Sequence, residues 1–254
     1  PGVLDQDSLL REFTSACSPL VYRGGTFPTS YEQNVFVCAP EANLIKRNIL
    51  QFHGDSISAK QAWQGKEFLA STDEGFRPVS LNNGPDGSMY AVDMHIGVIQ
   101  HYAFLSPYLK KEAKKNQLDT LKGYGRILKI SHTDAKVHPM PDFEQATGAE
   151  LAELLRHKNG WIRDRAQHYL IFKDKKEVLP ELREIALNTE SEIGQMHALH
   201  VLEGLDSLDM VDKKLDELTE ISDNSLGELN DLLGSIQDSA ATEEKKMDEV
   251  HQEQ

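Results

Sequence analysis

Between residues 15 and 132 the apolar side chains fall in short runs, and nearly every run is closed by Gly, Pro, Asn or Asp. Side chains on an extended strand alternate faces with a period of two, so runs of this length are strand-sized, and their punctuation leaves no room for long helices. The spacing is that of an all-β sandwich, barrel or propeller. The candidate strands are Pro19–Arg23, Asn34–Cys38, Leu44–Asn48, Ile49–His53, Arg77–Leu81, Met89–Asp93, Gly97–Tyr102 and Arg126–Ser131. Asn83-Gly84-Pro85-Asp86-Gly87 is the strongest hairpin signal, combining residues that tolerate positive φ with a proline that fixes it near −65°. It joins Pro78–Leu81 to Met89–Asp93 as antiparallel neighbours. Ser106–Gln117 reads as a short helix with Pro107 at its first position.

After His138-Pro139-Met140-Pro141 the period changes from about 2 to 3.6. Leu151, Leu154 and Leu155 share one helical face, and Ile162, Ala166, Tyr169 and Leu170 share the next. A third helix is expected over Val178–Leu187, with Pro180 in its first turn, and a fourth over Gln195–Leu202, ended by Gly204. Short helices joined by short loops, each with an apolar face too broad to cover alone, indicate a stacked helical repeat. Asn159 is expected to cap the second helix, with Trp161 packing between repeats and Arg163 and Asp164 tying adjacent helices. Asp206–Leu233 reads as two further acidic helices, and Ser239–Gln254 as disordered.

The chain has 27 basic and 41 acidic residues, a formal net charge of −14. Residues 206–254 hold 15 of the acids and 4 of the bases, so the acidity belongs to the tail. Phosphate backbones are held by clustered Lys and Arg, and this balance excludes a general nucleic-acid binder. No apolar run approaches the ~20 residues of a membrane span. The start at Pro1, with neither a basic nor an apolar leader, is expected of a fragment whose secretion signal lies outside it. The sequence offers no His-x-x-x-His helix pair and no EF-hand loop, so no metal ligand set is expected.

The two cysteines have two readings. A hairpin of Pro19–Arg23 with Asn34–Cys38 brings Cys17 close to Cys38, near enough for a disulfide, and hence implies an oxidising compartment, periplasmic or secreted. The other reading is a pair of buried free thiols.

These residues carry a resemblance. The segments CSPLVYRGGTFP (17–28), NVFVCAPEANLIKR (34–47), DEGFRPVSLNNGPDGSMYAVDMHIGVIQH (73–101), FLSPYLKK (104–111), GYGRILKI (123–130) and ELLRHKNGWIRDRAQHYL (153–170) resemble, in order, a bacterial family of membrane-bound or secreted dehydrogenases with a glucose/sorbosone-dehydrogenase-type β-propeller. The resemblance implies a β-propeller fragment of about two four-stranded antiparallel blades over residues 1–138, with earlier blades missing, followed by HEAT-like helices over 139–205 and an acidic tail over 206–254. It implies pyrroloquinoline quinone (PQQ) with calcium as cofactor, a sugar or polyol as substrate, and a cytochrome or other electron acceptor as partner. The family often carries a c-type cytochrome domain, but this chain has no Cys-x-x-Cys-His haem attachment site.

On such a blade Arg77 and Asp93 emerge together at the end opposite the Gly84–Gly87 hairpin, with His95 and His101 near the same mouth. By resemblance Arg77 contacts a PQQ carboxylate; alternatively it is structural and paired with a carboxylate such as Asp93. Asp93 either orients Arg77 or binds a sugar hydroxyl, or it caps its strand. His95 or His101 is the candidate base for alcohol oxidation, because imidazole titrates near neutral pH; the alternative is that each is structural. Two functions follow. One is PQQ-type oxidation of a sugar or polyol by the full-length protein, with this fragment inactive alone. The other is a non-catalytic carbohydrate- or protein-binding propeller with a helical-repeat interaction module.

Overall fold

A computed structural model describes residues 15–208, apart from 138 and 189, together with 219–220, 222–227, 229 and 233. The chain divides into two compact units, 1–170 and 171–254. The division lies within the helical part of the sequence. Of the two expected tail helices, residues 219–220, 222–227, 229 and 233 are helical, and the rest, with the stretch 239–254, lies outside the described residues.

The first unit holds two antiparallel sheets. In one, β1 (Cys17–Val21), β2 (Val35–Ala39), β3 (Leu44–His53) and β4 (Ser56–Gln61) lie in sequence order, and β5 (Leu69–Ala70) also pairs with β3. Leu44 and Ile45 pair with β2 and with β5, while Asn48 pairs with both Val35 and Gln61. A strand has only two edges, so β4 and β5 share the edge of β3 that faces away from β2. The other sheet is β6 (Pro78–Asn83), β7 (Met89–Asp93) and β8 (Arg126–Ile130), in that order.

These sheets have five and three strands, not the four each that were expected. Leu44–Asn48 and Ile49–His53 are one continuous strand. Its partner β4, Ser-Ile-Ser-Ala-Lys-Gln, is exposed along its whole length, so no apolar alternation announces it. The expected strand Gly97–Tyr102 is irregular instead. Gly97 N–H donates to Leu121 O at 3.3 Å, and a Cβ on Gly97 would lie 2.3 Å from Leu118 O, so this backbone is pressed against the 118–121 loop and not into a ladder.

The core joins the two sheets. Tyr22, Phe27, Phe36, Cys38 and Ile45 come from the first, Leu81, Met89 and Ala91 from the second. Each fully buried side chain of this size contributes roughly 1.5–3 kcal/mol relative to exposure. The buried Tyr22 hydroxyl donates to Gly87 O at 2.7 Å and accepts from Thr26 N and Phe27 N, which anchors the Gly24–Phe27 loop to the second hairpin. Gly87 has φ +81°, and a Cβ there would lie 2.2 Å from Thr26 Cγ2, so the turn needs glycine for conformation and for space.

The α-helices with bounds among the described residues are α1 (Pro107–Lys115), α2 (Gly148–Glu153), α3 (Gly160–Phe172), α4 (Leu179–Leu187) and α5 (Glu192–Gly204). Ser106 caps α1 ahead of Pro107, and Thr147 with Glu150 forms a capping box on α2. Asn159 does begin α3, its Oδ1 accepting from Trp161 N at 2.9 Å, while its Nδ2 donates to Gly84 O and Pro85 O at 3.0 Å. The cap therefore also staples the helix to the β6–β7 hairpin. Asp164 pairs with Arg23 of the strand-side loop at 2.7 Å, and Arg163 donates to Lys158 O, in the connection between α2 and α3, at 3.0 Å. Trp161 meets Phe143 edge-on at 6.0 Å.

In the second unit α4 and α5 pack through Leu182, Ile185, Ala198, Val201 and Leu202, all buried. Ser191 caps α5 by accepting from Gly194 N. No described helix is long and apolar enough to cross a membrane.

Candidate functional site

Along β7 the side chains of Met89, Ala91 and Asp93 fall on the buried face. Period two thus carries a carboxylate into a row of apolar residues, where burial without partners would be prohibitive. Asp93 is 0 % exposed, and it is fully partnered. Its Oδ1 accepts from Arg77 N at 2.7 Å and His95 N at 2.9 Å, and its Oδ2 from Arg126 Nε at 2.9 Å. Burial alone would raise its pKa, but the two backbone donors and the Arg126 guanidinium outweigh it and hold the carboxyl below its ordinary value. Asp93 is therefore an ionised anchor that orders three chain segments.

Arg77 stands at the same end of the sheet as Asp93: Pro78 and Asp93 are register partners, and Met94 N donates to Arg77 O at 3.0 Å. Its side chain, however, meets backbone. Nε donates to Ile96 O at 3.2 Å, Nη2 to Gly97 O at 3.0 Å, and Nη1 to Pro40 O at 2.8 Å and Glu41 O at 3.5 Å. The guanidinium fork ties the turn after β2 to the loop after β7, and a ligand carboxylate would have to displace those carbonyls. This favours the structural reading of Arg77, with the pairing made to carbonyls and only its backbone N–H given to Asp93.

His95 follows in a left-handed conformation, φ +42°, which costs a β-carbon residue roughly 1 kcal/mol. Its Nδ1 lies 3.4 Å from Asp93 Oδ2 and 3.8 Å from Asp73 Oδ2, with no hydrogen bond formed and 13 % of the side chain exposed. The imidazole meets Tyr124 edge-on at 6.3 Å. Arg126 reaches Asp73 at 3.6 Å and remains 45 % exposed, and Asp73 47 %. An Asx turn, Gly75 N to Asp73 Oδ1 at 2.9 Å, fixes the latter. His101 does not join this group. Its Nδ1 accepts from Ala103 N at 3.3 Å and its ring tilts against Phe104, so it braces its own exposed turn.

The exposed end of the sheet thus presents a carboxylate (Asp73), a guanidinium (Arg126), an imidazole (His95) and an aromatic ring (Tyr124). Of these only His95 was picked out in the sequence. Arg126 opens a strand and pairs in register with Asp93, a signal available once β8 is placed beside β7 with ends aligned. Asp73 and Tyr124 sit in loops and give no such signal. The two cysteines read as a disulfide or as two free thiols, Cys17 and Cys38, are register partners across β1 and β2, both free thiols in this structure, with Cys17 Sγ 3.6 Å from Val79 O.

Residues 4–134 match the family model of a domain of unknown function, DUF7133. The chain belongs to the DUF7133 family. The DUF7133 match spans both sheets, α1 and every residue of the Asp93 cluster, and ends before α2. Neither the curated proteins nor the solved structures compared with the chain match it.

A wider cleft, of about 460 Å³, lies beyond the DUF7133 segment, lined by Asp142, Glu150 and Glu153 among others. Its carboxylates already serve the helices: Asp142 accepts from Glu144 N and Gln145 N, Glu150 completes the capping box, and Glu153 pairs with Arg156 at 3.0 Å.

Proposed function

We propose that this chain is the C-terminal part of a sugar or polyol dehydrogenase-like β-propeller protein of the periplasm or exterior, and that the Asp73–His95–Tyr124–Arg126 surface is where it meets a polyol. The observation that carries the reading is Asp93, a buried carboxylate that binds no ligand itself but holds Arg126 and the His95 backbone in place beside Asp73. Vicinal hydroxyls suit a neighbouring acceptor and donor pair, here Asp73 and Arg126, and a sugar's C–H face suits an exposed aromatic such as Tyr124. With Nδ1 turned to two carboxylates, His95 has Nε2 left to take a proton from a bound hydroxyl. The sharing of one β3 edge by β4 and β5 makes the first sheet four rows deep, as a propeller blade is, and the helices after it are read as HEAT-like.

PQQ does not fit at Arg77, whose fork is occupied by backbone carbonyls. Among the described residues no three His, Cys, Asp or Glu side chains converge to hold a metal such as calcium. With that fork occupied, the chain alone is expected to bind polyol without oxidising it. The occupied Arg77 fork also favours the second reading, a carbohydrate-binding propeller without catalysis.

Titration calorimetry of the 254-residue chain with a panel of aldoses and polyols tests the site. At least one ligand is expected to bind, with Arg126→Ala and Tyr124→Ala each weakening it about tenfold, 1.4 kcal/mol. No binding across the panel, or binding indifferent to both substitutions, would overturn it. Dye reduction by the longer protein with PQQ and calcium separates the two readings: turnover supports the dehydrogenase, and binding without turnover supports the binding module.

A further inference from the structure

The sheet β6–β7–β8 ends on β8, and among the described residues no strand pairs with the outer edge of β8. At the other end of the sheet β6 is covered by β1, with Leu81 N donating to Ser18 Oγ at 2.9 Å and Cys17 Sγ to Val79 O at 3.6 Å. β8 therefore keeps a row of outward backbone N–H and C=O groups, the template on which a further strand adds. Free edges are ordinarily guarded by charge, proline or a bulge. The β7–β8 register runs without a shift from Asp93↔Arg126 to Met89↔Ile130, and Arg-Ile-Leu-Lys-Ile contains no proline. Its two cations are held by the strand's own sheet, Arg126 by Asp93 and Lys129 by Asp86 at 2.6 Å. Ile127, between them, is 69 % exposed, while Leu128 and Ile130 pack against the core.

The strand is complementary to itself. In an antiparallel pair about a two-fold axis through Leu128, Ile127 of each copy faces Lys129 of the other and Arg126 faces Ile130, so no cation meets a cation. A slip of one residue would set the core side chains of one copy on the outer face of the other. Centring the pair on Lys129 sets that cation against itself, and centring it on Ile127 pairs only part of the strand. The register about Leu128 also carries each copy's Tyr124, 61 % exposed, toward the other's Ser131 and His132, which close a pocket of about 90 Å³ with Ile130, Phe27, Tyr31 and Phe68. Room for about three waters at ~30 Å³ each takes the edge of a ring, and aromatic walls favour that edge-on approach.

We infer that β8 docks on β8 of a second copy of this chain, antiparallel about Leu128, so that two three-stranded sheets become one. A two-fold contact closes on itself, so association stops at the dimer. Five residues a side is short beside the roughly 20–30 of a stable interface, and the dimer is accordingly weak and concentration-dependent. Ile127 lies outside the Asp73–His95–Tyr124–Arg126 surface and tests the pairing independently of the polyol reading.

The test is sedimentation velocity of the whole chain from about 10 to about 500 μM, with two variants at the exposed Ile127. The parent mass is expected to rise with concentration from that of one chain toward that of two and no further. Ile127→Lys sets a lysine against Lys129 of the other copy, twice in each dimer, and is expected to weaken association at least about tenfold. Ile127→Glu removes the same apolar side chain but faces Lys129, and is expected to stay within about threefold of the parent. Circular dichroism checks that both variants fold. If either does not, amide hydrogen exchange of the parent reads the same contact, because the outward β8 amides are expected to slow as concentration rises. A monomer at every concentration, assemblies larger than two, equal affinity in the two variants, or β8 exchange indifferent to concentration overturns the proposal.

Discussion

Asp93 and Arg126 are register partners across the β7–β8 ladder, and the buried carboxylate accepts the Nε–H of the half-exposed guanidinium at 2.9 Å. Because Oδ1 of the same group takes the backbone N–H of Arg77 and of His95, one ionised side chain positions β6, the loop after β7 and the first residue of β8. Its depressed pKa makes this a pH-linked element. The unfolded state binds the Asp93 proton more readily than the folded state, so its contribution is present above the unfolded pKa of about 3.9 and is lost as pH falls through the lower folded value. Asp93→Ala is expected to destabilise by roughly 2–4 kcal/mol near neutral pH and by less in acid, measured by urea melts from pH 7 downward. An equal loss at every pH would sink the linkage.

Arg77 should behave as a strut. Arg77→Lys keeps the charge but cannot reach Pro40 O, Ile96 O and Gly97 O together, so it is expected to lose nearly as much as Arg77→Ala, roughly 2–3 kcal/mol. Thermal melts of the pair decide this. A fully stable Arg77→Lys protein would show that charge and not the fork is what the site requires.

The parts of this architecture that could be read in advance are those set by local chemistry. Asn83–Gly87 demanded a hairpin because few residues accept its backbone, and that hairpin fixed which end of the sheet Arg77 and Asp93 share. What escaped reading was non-local. The acceptors of the Arg77 fork are carbonyls up to 37 residues upstream, and a carbonyl carries no sequence signature. Strand β4 forms by backbone pairing with β3 while exposing every side chain, so hydrophobic period is silent there. The attachment of α3 to the strands escaped reading for a related reason: Asn159 and Asp164 lie in helical sequence yet bond to the hairpin and to Arg23.

His95 pairs an unfavourable backbone angle with a buried Nδ1 that forms no hydrogen bond, and neither feature helps folding. His95→Gly removes both while keeping the N–H that Asp93 accepts. It is expected to match or exceed the parent stability by up to about 1 kcal/mol, yet to weaken polyol binding. A loss of more than about 2 kcal/mol in a denaturant melt would mean that His95 is there for packing.

Cys17 and Cys38 face each other in register, at the cross-strand spacing of ~4.5–5.5 Å between Cα atoms that a disulfide accepts. Burial, reinforced by Cys17, pushes the Cys38 thiol up to about 12, so near pH 8 it is almost wholly protonated and a poor nucleophile. Cys17, raised by burial but partly exposed, should therefore alkylate first in the folded, reduced protein. The same burial predicts slow oxidation of the folded chain and efficient oxidation during refolding, before Cys38 is covered. Refolding in an oxidised/reduced glutathione buffer is expected to give a mass lower by about 2 Da, as two thiol hydrogens leave, and a gain of roughly 3 kcal/mol from closing a loop of ~20 residues. An unchanged mass after refolding under those conditions, with both thiols still titratable in denaturant, would remove the disulfide and with it the argument for an oxidising compartment.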